Sequence, residues 1–559
     1  MTRGAPGPAD PVRFAFRPGV AEDVPDTSPT GSEFTRMARK TALSATALLA
    51  SGALLLSGCS TDWFGGGPPE VTEEFPYTKE GVIFQDTGQD DEMRFSITGL
   101  ERTDDYTVMY YEIEYPDGFE GANRNLSMAH TLVDPVTGRV WRQYHDADGL
   151  KYGSVSPNGD GLYPVHDGAV NEYRRYFPRI PDEVEQVTFI GSGLGAMTGI
   201  PIQDVDGEQP DPENPNGPDH LTVDDPPPSG ENLVFENRRP GEDATADEGE
   251  VESFVDSEIA STTRDGDTET ISLHSDVMFE FDEYELTAEA EEVVRRAAAS
   301  LAANVDPDDP EITVIGHTDG KGGDDYNQTL SEKRAQTVRD LLQEEIGGDY
   351  EYAVEGRGSK EPVAREGGAD DEQARARNRR VEFSYTVARS TEVDTETDTG
   401  GDGLGVADRN VSWPAPFEAD NGSVAASAEK DGVKLDVYPL RRDGAYVIGT
   451  VDITNTTDEA LTPDMGGLDA LPAGGPEQFS KGTLGGFQLL EPEKGLVRYV
   501  AQMNFGDGKR GGFAEEVHRL QPGNTYELVA VFPAPAADVE ELTLRAGPFG
   551  ELEGIPVQN

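Results

Sequence analysis

Residues 165–204 and 520–559 carry one forty-residue pattern twice, and that repetition limits the folds open to the chain more than any other feature. The two segments align without a gap at a constant offset of 355, with about a dozen identities. Phe177-Pro178 falls on Phe532-Pro533, Val184-Glu185 on Val539-Glu540, and Gly199-Ile200-Pro201 on Gly554-Ile555-Pro556. Upstream, Leu100, Arg102 and Tyr106 match Leu440, Arg442 and Tyr446 at an offset of 340, while Asp134-Pro135 and Gly138 match Glu491-Pro492 and Gly495 at 357. Drifting offsets are what unequal loops in two copies of one domain produce. Residues 91–204 and 429–559 are therefore read as one fold, present twice.

That fold is β. Residues 106–113 and 446–453 are rich in β-branched and aromatic side chains, with apolar positions tending to alternate as in a half-buried strand. Turn clusters such as Asp117-Gly118 and Gly506-Asp507-Gly508 fall between the runs. Several short strands in about 110–130 residues point to an immunoglobulin-like (Ig-like) β-sandwich. Cys59 is the only cysteine, so neither copy holds a disulfide, and CxxC metal sites are excluded with it.

The chain's 559 residues suit several domains rather than one core. Its formal charge of −63, from 108 acidic against 45 basic residues, repels phosphate backbones and excludes nucleic acid as a partner. Two acidic, Pro/Gly/Thr-rich stretches, 205–268 and 390–428, have no sustained apolar period and read as extended, disordered linkers. Residues 59–90 form a shorter linker containing Gly65-Gly66-Gly67-Pro68-Pro69. A salt-adapted surface would give the same acidity.

Between the acidic stretches, residues 269–389 follow a different period. Residues 277–281 alternate as a strand, and Thr287 is an N-cap for a helix over 288–303, where Ala290, Val293, Val294, Ala297 and Leu301 share one face. A second strand is expected at 312–315, a second helix at 328–345, and further strands at 350–354 and 381–387. The order βαβαββ predicts an α/β sandwich, so the whole chain is expected to be multidomain α+β, with this module flanked by two related Ig-like β-sandwich domains. In the second helix Leu330, Val338, Leu341 and Leu342 form an apolar stripe, and Arg334 points into its middle. A guanidinium cannot shed its proton, and burying it unpaired is costly. The loop Gly316-His317-Thr318-Asp319, just before this helix, is the expected source of its anion.

Those residues carry a resemblance. Gly316-His317-Thr318-Asp319, Tyr326-Asn327, Leu330-Ser331 and Arg334-Ala335, followed by Gly356, Gly358 and Asn378-Arg379-Arg380-Val381-Glu382, resemble in order the signature of OmpA-like peptidoglycan-binding domains. The resemblance implies non-covalent binding of the meso-diaminopimelate arm of the peptidoglycan stem peptide. By carry-over, Asp319 would accept a ligand ammonium and Arg334 would pair with a ligand carboxylate, a complementary couple for a zwitterion. The competing reading is an internal Asp319–Arg334 salt bridge. Thr318, in the same loop, is placed with the ligand-binding residues, Asn327 caps the helix or lines the pocket, and Arg379 with Arg380 orients the ligand or faces solvent. His317 is read as structural. Gly320-Lys321-Gly322-Gly323 makes the following loop glycine-heavy, which favours mobility.

The amino end supplies an anchor. Residues 37–59 read MARKTALSATALLASGALLLSGC: a positive start, an apolar run too short for a membrane span, and small residues before the cysteine. Leu56-Ser57-Gly58-Cys59 resembles the bacterial lipobox, which implies cleavage before Cys59 and a diacylglycerol on its sulfur. Residues 1–36, rich in Pro, Gly and Asp, are read as disordered or as sequence ahead of a start at Met37, and 37–58 as a lipoprotein signal peptide.

No catalytic constellation stands out. The seven His show no HExxH spacing, and no GxSxG or free thiol supports a nucleophile. Asp394, Asp398 and Asp402 match a calcium loop only loosely, with Thr399 where glycine belongs. The expectation is a binding protein with no cofactor and no metal. It would be lipid-anchored in the extracytoplasmic cell envelope, on the outer membrane if the host has one and otherwise on the outer face of the plasma membrane. There it would grip peptidoglycan and tether membrane to wall. The rival is an adhesin, assembly factor or envelope sensor whose β-sandwiches meet other envelope proteins while the central domain only anchors it.

Overall fold

In the computed structural model the strand Tyr106–Glu114 pairs antiparallel with Val170–Pro178, and Tyr446–Asn455 pairs antiparallel with Thr525–Pro533. Tyr106 opposes Pro178 as Tyr446 opposes Pro533, so both ladders obey the offsets 340 and 355 residue for residue. Further pairings recur in the same order. Asp91–Arg102 and Leu440–Asp443 each flank the first strand of their ladder. His130–Val133 pairs with Gln186–Gly191 as Gln488–Glu491 pairs with Glu541–Arg545. Each of those second strands turns back into a last one, Gly195–Pro201 or Glu551–Gln558. Register is held because one face of each strand is buried, and a one-residue slip would turn that face to water. The two segments fill separate cores, one around Phe95, Tyr111 and Phe189 and the other around Val451, Leu489 and Leu528.

The structure describes residues 75–83, 90–115, 122–125, 130–156, 162–165, 168–191, 194–211, 235–347, 349–367, 371–387, 404, 411–468, 482–513 and 517–558. All of them belong to one compact unit, Phe64–Asn559. The signal segment, Cys59 and the Asp394–Asp402 stretch lie outside them.

The stretch 205–268 is not a linker throughout. Its strand Glu248–Asp256 pairs with Arg139–Arg142 of the first repeated segment and with Leu496–Tyr499 and Gln502–Asn504 of the second. Along the edge it shares with Arg139–Arg142 it also pairs with Ala260–Asp265, which leads into Thr268–His274 and the central module. One strand thus joins all three parts into a continuous sheet. The acidic composition misleads because its carboxylates are paired inside the protein: Glu252 Oε2 accepts from Arg510 Nε at 3.0 Å and from Gln502 Nε2. Val251, Phe254 and Val255 supply the apolar side, and Val251 sits in a cluster with Val133, Ile190, Tyr446, Ile448 and Val529. The other expected boundaries move too. Tyr77–Ile83, inside 59–90, pairs with Asp91–Arg102, and Ala426–Lys430, which begins inside 390–428 and runs past its end, pairs with Val433–Val437.

The central sheet runs Thr268–His274, Arg380–Thr386, Glu311–His317, Glu351–Gly358, with only the last pair parallel. Helices Ala288–Asn304 and Asp324–Ile346 pack their apolar faces into the same core as this sheet, and Thr287 caps the first by accepting from Ala290 N. The strand expected at 277–281 is instead a helical turn, Ser275–Met278, followed by a loop. Its alternation is misleading because Phe281 is 96% exposed; the true strand is the preceding Thr268–His274, where Ile271 and Leu273 are buried. Among the described residues no helix is long and apolar enough to cross a membrane.

Candidate functional site

The helix Asp324–Ile346 lies close against two strands because Gly316 and Gly356 lack side chains. A Cβ at either position would collide with the helix backbone at Ser331 or Glu332. That closeness puts Thr318-Asp319, at the end of Glu311–His317, beside the helix's first turns. Asn327, Ser331 and Arg334 recur at helical spacing on its buried face. Asn327 Nδ2 reaches back to the Asp319 carbonyl at 3.4 Å, and the N-cap is Gly323 rather than Asn327.

Thr318, Asp319, Asn327, Arg334 and Arg379 line one cleft of about 560 Å³, so the fold brings together every ligand-binding residue the sequence singled out in this module. Phe279, Phe281 and Tyr326 supply its aromatic wall. Asp319 does not bond Arg334. Its Oδ2 accepts from Arg379 Nη1 at 2.6 Å, and its Oδ1 from the Lys321 backbone N–H at 2.9 Å. Arg379 also forks onto Asp276, with Nε and Nη2 at 2.7 and 2.6 Å from the two carboxylate oxygens, and reaches Glu372 at 3.1 Å. Those bonds, first to Asp276, push its pKa up. The glycine-heavy loop is tied at Gly320, whose N–H donates to Glu366 Oε1 at 2.9 Å.

Arg334 is 5% exposed. Its Nε donates to the Glu283 carbonyl at 2.9 Å, and its guanidinium carbon lies 4.8 Å from the Phe279 ring centroid. Among the described residues no carboxylate forms an ion pair with it, so the anion expected from the Asp319 loop is absent. Burial pulls its pKa down, opposed chiefly by the charge of Asp276. The cleft therefore offers a half-occupied carboxylate on one wall and an unneutralised fork on another, a pattern that fits a zwitterion better than a simple cation or anion.

Behind the loop His317 is buried, with Nε2 3.5 Å from Glu382 Oε2, and Arg380 Nε donates to Glu382 Oε1 at 2.5 Å. Burial works to raise the Glu382 carboxyl, but the His317 contact and the Arg380 charge outweigh it and hold the pKa at about 2. Arg380 is thus internal and does not line the cleft. Sequence reasoning missed Asp276 and Glu372. The unmet need of Arg379 for anions was the available signal; Glu372 stands two helical turns before it and was within reach of that argument, whereas Asp276 lies 103 positions away. Among the described residues no cluster of His, Cys, Asp and Glu could hold a metal.

Comparison with known proteins places this geometry. The model of the OmpA family matches residues 278–379. Over 96 residues, 17% of the chain, the sequence is 38% identical to Outer membrane protein A of Klebsiella aerogenes, covering 27% of that protein. Over 76 residues, 14% of the chain, it is 42% identical to Outer membrane protein A of Serratia marcescens, covering 21% of it. The chain thus spans about a quarter of the length of these curated relatives. Among solved structures, the peptidoglycan-associated lipoprotein from Burkholderia pseudomallei is 31% identical, with 20% of this chain and 88% of that one covered at a TM-score of 0.17.

Proposed function

We propose, from the premise that residues 278–379 are an OmpA-family domain, that the cleft binds peptidoglycan non-covalently through the meso-diaminopimelate side chain of its stem peptide. The observation that carries this reading is Arg334: a buried guanidinium on the cleft wall with no carboxylate paired to it among the described residues. Arg334 takes the ligand carboxylate, and Asp319 shares its charge between Arg379 and the ligand ammonium. Thr318 and Asn327 hold the loop. The two repeated segments are copies of one Ig-like β-sandwich, and Cys59 carries a lipid, so that the protein ties a membrane to the cell wall from the extracytoplasmic side.

The test is a pull-down of the full chain with purified sacculi. Free meso-diaminopimelate should compete and lysine should compete poorly, because lysine's side chain ends in an ammonium without a carboxylate. Arg334→Ala and Asp319→Ala should each lower affinity at least about 30-fold, the loss typical when one partner of a desolvated charge pair is removed. Arg334→Lys should not restore it fully, since an ammonium lacks the fork. Retained binding by both Ala variants sinks the site. The anchor is checked by intact mass of protein recovered from cells, where a free Cys59 thiol behind an uncleaved 37–58 segment refutes it.

A further inference from the structure

The two repeated segments diverge inside their cores. Their shared register equates Tyr111 with Val451, Tyr173 with Leu528 and Arg175 with Ala530, since Tyr111 opposes Tyr173 as Val451 opposes Leu528, and Met109 opposes Arg175 as Gly449 opposes Ala530. The offset that sets Leu132 against Leu489 likewise sets His130 against Phe487. One copy is apolar at all four places; the other holds two phenols, an imidazole and a guanidinium, each 1% exposed.

These four side chains converge. The Tyr111 and Tyr173 rings stack at 5.2 Å, His130 meets Tyr111 edge-on at 5.1 Å, and the Arg175 guanidinium carbon lies 6.0 Å from the Tyr111 and Tyr163 rings. Arg175 spends Nη1 on the Ser154 and Arg174 carbonyls, at 3.1 and 2.8 Å, and Nη2 on Tyr163 Oη at 3.4 Å. Its Nε, both His130 nitrogens and Tyr111 Oη have no hydrogen-bond partner among the described residues. No carboxylate there pairs with Arg175, in a chain carrying 108 acidic residues. Burial, then the charges of Arg175 and Lys151, hold the His130 imidazole well below its ordinary range. It is therefore neutral and carries one N–H.

A buried cation needs a counter-charge, and buried donors need acceptors. We propose that the segment 91–204 binds a halide ion between its sheets, held by Arg175 Nε, Tyr111 Oη and a His130 ring N–H. Single donors from separate side chains, with the positive edges of aromatic rings between them, suit a monatomic polarisable anion. Phosphate or a carboxylate would ask for two parallel donors of the Arg175 fork, but Nη1 is spent on two carbonyls and Nη2 on Tyr163 Oη.

The probes are sodium chloride and sodium bromide against sodium gluconate at fixed ionic strength, with the full chain melted in each. The expected result is a saturating rise in Tm of about 2 °C or more with either halide. It should vanish in Arg175→Ala and in His130→Phe, substitutions whose counterparts the other copy already accommodates. Bromide-soaked wild-type crystals should show an anomalous peak in contact with Arg175 Nε, a readout that does not depend on either variant folding. Halide-indifferent melting of the wild type, an equal shift in Arg175→Ala, or the absence of that peak would overturn the assignment.

Discussion

Arg102 and Arg442 make the same bonds in two places. Arg102 Nη1 donates to the carbonyls of Pro181 and Val184, at 2.5 and 2.9 Å, and Arg442 Nη2 to those of Ala536 and Val539, at 2.6 and 3.2 Å. The acceptors, like the arginines, are related by the offsets that relate the two segments. In each case a buried guanidinium pins the loop that joins the ladder's closing strand to the next. Arg102 adds a carboxylate, Asp204, at 2.6 Å.

Truncating either arginine leaves carbonyls without donors. Arg442→Ala is expected to destabilise the fold by about 2–4 kcal/mol, the loss of charge-assisted bonds to groups that stay buried. Arg102→Ala should cost at least as much, since Asp204 also loses its partner. Chemical denaturation of both variants checks this; a cost under half a kcal/mol for either would show that the loop holds without its pin.

Arg379 sits between three carboxylates, those of Asp319, Asp276 and Glu372. Arg379→Met leaves that wall more negative, while Arg334 is untouched. Ligands bearing only an ammonium should gain affinity relative to the zwitterion, so the preference for diaminopimelate over lysine should fall about tenfold. Competition curves with the two amino acids measure it. An unchanged preference would mean that Arg379 plays no part in selectivity.

Asp443 links the two repeated segments: its carboxylate accepts from Thr188 Oγ1 at 2.6 Å and from the Ala415 N–H at 2.9 Å. Burial lifts its carboxyl to about 6, against bonds that work to lower it. An acid raised on folding favours the folded state fully below its unfolded pKa, near 4, and that contribution is lost as pH rises through about 6. Stability should therefore fall by up to about 3 kcal/mol on this account between pH 4 and pH 7. Asp443→Asn should remove that slope. Melting series across this range test it, and an identical slope in the variant would rule the group out.

Val251 lies 2% exposed in the cluster shared by the repeated segments. Val251→Asp puts an unpaired carboxylate there, with an expected cost of about 3–5 kcal/mol. Because its strand joins all three parts, calorimetry should show a shared transition breaking into separate ones. Wild-type melting in this variant would mean that the parts fold independently.

The duplication was legible because strand register is a local, periodic constraint: the offsets between Tyr106 and Tyr446 and between Pro178 and Pro533 carry directly into opposed pairs. The helix after Thr287 was legible for the same reason, since its cap and apolar face lie within a few turns. The motif around Asp319 and Arg334 named the cleft residues, but not who bonds whom. That Asp319 bonds Arg379, sixty positions on, and leaves Arg334 to a backbone carbonyl depends on where two distant strands and a helix end, which no local pattern encodes. The strand Glu248–Asp256 was hidden for a related reason. Its acidic residues read as solvated until Arg510 and Gln502 arrive from a far part of the chain to pair with Glu252. Periodicity determined the elements and their inward faces; only packing decided which charges meet, because a charge finds its partner through space and not along the sequence.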